Sequence, residues 1–71
     1  MNWKDEPKAI KAALRANGFD VIHARKGTGT ARCWNRITVA EKGGDWQTTY
    51  DQASRIGEAV CGHDKVAIHV R

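Results

Sequence analysis

From Ala31 to Val39 the side chains alternate between two chemical classes. Only a β-strand turns a period of two into two different faces. Ala31, Cys33, Ile37 and Val39 fall on one side, with Asn35 as the odd member. Arg32, Trp34, Arg36 and Thr38 fall on the other. The first set is expected to face a core and the second to face solvent. Such a strand needs a neighbour and an apolar layer against its inner face. The rest of the chain can supply both.

The neighbour is expected just upstream. Asp20–Lys26 and Thr30–Ala40 read as two strands around Gly27-Thr28-Gly29, a composition typical of a hairpin. A two-residue turn, Gly27-Thr28 or Thr28-Gly29, buries Ile22 and Ala24 and leaves Val21, His23 and Arg25 outside. A three-residue loop would reverse strand one and turn His23 and Arg25 inward. An inward Arg25 lacks an acidic partner and would be costly, so the even turn is expected. The glycine turn also offers successive N–H groups to a phosphate. It lacks the spacing and following helix of a P-loop, so a plain turn is the expectation.

Two helical stripes complete the layer. The first helix is expected over Glu6–Asn17, capped by Asp5, with Pro7 in its first turn. Ala9, Ile10, Ala13 and Leu14 form its apolar side, while Lys8, Lys11 and Arg15 face water. Asn17-Gly18 ends it, and Phe19 packs back on the last turn. Residues 1–5 are expected to be loose, with Trp3 able to fold onto the core. After a turn over Glu41–Trp46, Thr49-Tyr50-Asp51-Gln52 matches a capping box. Ala53, Ile56, Gly57, Val60 and Cys61 then share one helical face, and Gly62 stops the helix. Lys65–Arg71 reads as a last strand, with Val66, Ile68 and Val70 inward and Ala67, His69 and Arg71 outward. The expected fold is a single α+β domain over residues 1–71, ordered α-β-β-α-β. It has a three-stranded sheet and two helices packed on one face. The position and direction of the last strand are left open.

Several function classes are disfavoured at once. No apolar run is long enough to span a membrane, and the N-terminus lacks the apolar stretch of a signal peptide. The expected location is therefore the cytoplasm. Cys33 and Cys61 are too few for a disulfide framework and are expected as buried free thiols. Cys61-Gly62-His63 offers one close ligand pair, where zinc sites usually need two. Neither a metal nor a cofactor is expected.

The charge is concentrated. Arg25, Lys26, Arg32 and Arg36 lie between Val21 and Ala40, a stretch without an acid. The chain has 12 Lys and Arg against 8 Asp and Glu, so without those four the two signs balance. Guanidinium groups neutralise phosphates, and an exposed indole can stack on a base. The expected function is non-enzymatic binding of RNA or single-stranded DNA on the open sheet face. Arg32 and Arg36 would hold phosphates and Trp34 would stack a base. Arg25, Lys26, Arg71, His23 and His69 would extend the footprint. A protein-interaction module, a phage or mobile-element inhibitor, or a homodimer would use the same arginines and tryptophan. A third reading is a metal-independent ribonuclease in which His23 and His69 exchange protons.

The segment IKAALRANGFDVIHARKGTGTARCWNRITV, Ile10 through Val39, resembles the first half of the HicA family of small toxins. The shared features are a helix ending in Asn-Gly-Phe, a strand, a Lys-Gly turn and a strand ending in Ile-Thr-Val. The resemblance implies a fold like that of double-stranded-RNA-binding domains, and RNA as the partner. The family's catalytic histidine follows the Lys-Gly, where this chain has Thr28-Gly29-Thr30. The helix–hairpin–helix pattern is also similar to small domains of phage and mobile-element polyproteins.

Overall fold

The apolar stripes of two helices and the inner faces of three strands meet in one layer. The computed structural model describes residues 2–71. A 3-10 turn, Trp3–Asp5, leads into α1 (Glu6–Ala16), β1 (Val21–Lys26) and β2 (Asn35–Val39). Then come α2 (Trp46–Cys61) and β3 (Val66–Val70). The order is the expected α-β-β-α-β. The core is Ile10, Leu14, Phe19, Val21, Ile37, Val39, Ala53, Val66 and Ile68. Burying a side chain the size of Ile10 or Leu14 stabilises by about 2 kcal/mol.

The sheet runs β1-β2-β3, with β2 in the centre. β1 pairs antiparallel with β2, and β3 pairs parallel with it. A parallel neighbour requires a crossover, and α2 provides it. The helices pack against each other and against the side of the sheet that carries Ile37, Val39, Val66 and Ile68.

The two helix starts differ from expectation. Asp5 makes no side-chain capping bond. Its backbone already turns helically (φ −93°, ψ −5°) because its N–H donates to the Asn2 carbonyl at 2.9 Å. A capping side chain normally needs an extended backbone. Asn2 caps the 3-10 turn instead, accepting the Lys4 N–H at 3.1 Å. Likewise, α2 starts at Trp46 rather than Thr49. Asp45 accepts the Thr48 N–H at 3.2 Å and the Thr48 hydroxyl at 2.6 Å. The Thr49-to-Gln52 capping box is therefore not used. Thr49 is buried, where its hydroxyl accepts the Lys42 N–H at 2.9 Å and lies 2.7 Å from the Asp45 carbonyl. The ends of both helices follow the glycine signals, with φ +84° at Gly18 and +78° at Gly62.

The hairpin needs a larger correction. No two-residue turn forms. Residues 27–34 make a folded connection that includes a 3-10 turn, Gly29–Ala31. Thr28 and Ala31 carbonyls accept the Ala31 and Trp34 N–H groups at 3.1 and 3.0 Å. The Gly27 N–H closes the base on the Trp34 carbonyl at 3.0 Å. These local bonds satisfy the backbone that a longer ladder would have used. Extending β2 back to Thr30 would have buried only Ala31 and Cys33, which offer little apolar area. Cys33 is accordingly exposed, against expectation, and Cys61 is half-buried.

The parity of β1 is also split. A bulge lies between Val21 and His23. It turns Val21 into the core and leaves Ile22 outside at 44% exposure, the reverse of the expected placement. One unpaired residue shifts the alternation by one. Beyond the bulge, Ala24 packs against the core while His23 and Arg25 are exposed, as expected. The strands of β2 and β3 alternate as expected from Ile37 and Val66 onward.

Candidate nucleic-acid interface

The outward face of the sheet takes its side chains from the register. One row across the strands is Arg25, Arg36 and Ala67. The next is His23, Thr38 and His69. The residues of both rows are exposed except Thr38, which is half-buried. Arg71 follows β3 and is exposed too. Neither row contains an acid. A concavity of about 360 Å³ between β2 and β3 is lined by Arg36, Thr38, Ala67 and His69, with Ile37 and Ile68.

Arg25 and Arg36 lie directly opposite each other. Like charges in that position repel. Among the described residues the salt bridges are Lys26–Glu6 and His63–Glu6. Neither arginine is in one, so both guanidinium groups are available to an anion. His23 and His69 sit at the two ends of their row. Two strand spacings separate their Cα atoms, about 10 Å, with Thr38 between them.

Three residues expected on this face are placed elsewhere. Lys26 follows the parity of Ala24 toward the helix side, and its Nζ is 2.7 Å from Glu6 Oε1. With 13% of its side chain exposed, it is committed to that bond. Arg32 is on the folded connection, where it lines a concavity of about 250 Å³ with Trp3 and Cys33. Trp34 precedes β2 rather than lying within it, and is 40% exposed. Its ring is not tucked beneath the helices.

The buried polar cluster around Glu6 was not foreseen from the sequence. Glu6 Oε1 accepts from Lys26 Nζ at 2.7 Å, Asn35 Nδ2 at 3.1 Å and His63 Nε2 at 3.1 Å. Lys65 donates its N–H to His63 Nδ1 at 3.1 Å, which leaves Nε2 as the protonated ring nitrogen facing Glu6. The Lys26 bond holds the Glu6 carboxyl well below its ordinary range, at about 2. Burial opposes that shift, and the bonds from Asn35 and His63 reinforce it. Asn35, the odd member of the inward set, is thus a structural residue joining β2 to α1. Among the described residues no cluster of three or more His, Cys, Asp or Glu could hold a metal.

No protein-family model matches the chain, and no curated protein or solved structure shows significant similarity to it. Among the described residues no helix is long and apolar enough to cross a membrane.

Proposed function

We propose that this protein binds RNA or single-stranded DNA on the outward face of its sheet, without catalysis. The observation that carries the reading is the Arg25–Arg36 cross-strand pair, which is in no salt bridge, in two rows of the sheet that contain no carboxylate. Juxtaposed guanidinium groups destabilise a sheet unless an anion lies between them. A phosphodiester is such an anion, and arginine can grip it with two parallel hydrogen bonds. Arg36 holds a phosphate at the centre, and Arg25 and Arg71 extend the track. His23 and His69 flank it as hydrogen-bonding groups. Trp34 supplies a stacking surface at the start of β2, and Arg32 reaches the strand from the neighbouring connection. An open sheet with cations and an accessible ring favours single strands, whose unstacked bases can lie on it.

The test is fluorescence anisotropy with short labelled RNA, single-stranded DNA and duplex DNA across about 50 to 200 mM salt. Binding to the single strands should weaken steeply with salt and fall in Arg36→Gln. Salt-independent binding would overturn the reading. So would a complete lack of nucleic-acid binding combined with a defined self-association, which would mark this face as a protein contact.

A further inference from the structure

A second basic surface lies on the other side of the β1 edge. A concavity of about 590 Å³ runs between α1 and β1, and its lining includes Trp3, Lys4, Pro7, Lys8, Lys11 and Arg25. Lys4, Lys8 and Lys11 are spaced so that side chains stack along one helical side. None of the lining residues is acidic. Lys4, Lys8 and Arg25 are exposed, Lys11 is half-buried, and none of the four is in a salt bridge.

Trp3 ends this groove and is held in place. Lys26 Nζ lies over its ring, 5.3 Å from the centroid, and Glu6 fixes Lys26 in turn. The indole is still 47% exposed. One ring face thus carries a cation of the protein itself, and nearly half of the residue's surface stays accessible to a ligand. A positioned half-exposed indole beside four free cations is a combination that a base with its phosphates satisfies. The groove's volume falls within the range of about 300–1,000 Å³ that accommodates groups of that size. Duplex bases cannot stack there without first leaving the helix.

We propose that the groove between α1 and β1 is a second nucleic-acid site, in which Lys4, Lys8, Lys11 and Arg25 hold the backbone of a single strand and Trp3 stacks one of its bases. The ligand class rests on the reading of the sheet face given above. Arg25, at the β1 edge, belongs to both surfaces. It makes them one path, so that a strand crossing Arg36 continues around the edge onto α1.

The test compares the wild type with three variants in anisotropy titrations against labelled oligo(dT): Lys8→Gln/Lys11→Gln, Trp3→Leu and Arg36→Gln. Circular dichroism checks that each remains folded. Loss of two phosphate contacts should lower the slope of log affinity against log salt by about 1.4. Trp3→Leu should weaken binding about tenfold with little change in that slope. If the lysine variant and Trp3→Leu match the wild type while Arg36→Gln binds more weakly, the groove proposal is overturned and the sheet face stands. If the wild type binds no nucleic acid, both fall. Binding only to anionic lipid vesicles, lost in the lysine variant, would likewise overturn the nucleic-acid assignment of the groove.

Discussion

Lys26 Nζ lies 2.7 Å from Glu6 Oε1, and this pair ties the end of β1 to the first residue of α1 across 20 positions of sequence. Asn35 and His63 converge on the same oxygen. One carboxylate therefore joins α1, both strands of the hairpin and the segment after α2. Glu6→Gln leaves the Lys26 charge buried without its counter-charge. The expected cost is about 2 kcal/mol, less than for a fully dry pair. Thermal melts should show a midpoint lower by roughly 10 °C. An unchanged midpoint would mean that the network carries no net stability.

The same carboxylate sets an acid limit. Its folded pKa of about 2 is below the ordinary value of 4.5, so within that interval the unfolded chain binds the proton more readily. Stability therefore rises with pH across the interval. The Glu6 contribution is complete above about 4.5 and lost as pH falls through about 2. Asp45 acts in the same direction, its carboxyl lowered chiefly by the Thr48 hydroxyl bond. Denaturant titrations between about pH 5 and 2 should show a shallower loss of stability in Glu6→Gln than in the wild type. Parallel curves would show that other carboxylates govern the acid transition.

Arg36→Gln separates stability from binding. Removing one charge of the Arg25–Arg36 pair relieves a cross-strand repulsion of about 0.5 kcal/mol. The free protein should melt slightly higher while its affinity for single strands falls. A variant that loses stability as well as binding would show that Arg36 supports the sheet rather than a ligand.

Gly27→Ala tests the folded connection. A Cβ at Gly27 would clash with the Ala31 carbonyl oxygen. Backbone, unlike a flexible side chain, cannot swing away, and overpacking of this kind costs about 2 kcal/mol. Denaturant unfolding should report that loss. A neutral result would mean that residues 28–34 rearrange freely, as a simple hairpin turn would allow.

The parts of the fold that were legible in the sequence are those written in side-chain periodicity. Ile10 with Leu14, Ile37 with Val39 and Val66 with Ile68 each repeat at the spacing of their element, and all are buried. The exposure of His23, Arg25, Arg36 and His69 followed from the same alternation. The connection over residues 27–34 was illegible because backbone bonds between near neighbours hold it together, and these leave no apolar pattern. The bulge at Val21/His23 was hidden for the same reason. Lys26 was misassigned because its partner Glu6 is on another element, and nothing local distinguishes a paired lysine from a free one. Asn35 was visible as an anomaly, but its meaning required Glu6, 29 positions away. The groove beside α1 combines a helical lysine spacing that was readable with a strand edge that was not.

The parallel pairing of β2 with β3 has a consequence for biosynthesis. In the order of synthesis, the residues of α1 and the first two strands are made before Val66 and Ile68 exist to close the layer. Until β3 docks, the flank of β2 that will receive it has unpaired amide and carbonyl groups beside Ile37 and Val39. An unpaired strand flank beside apolar side chains is the kind of surface on which chains aggregate, and the docking of β3 removes it.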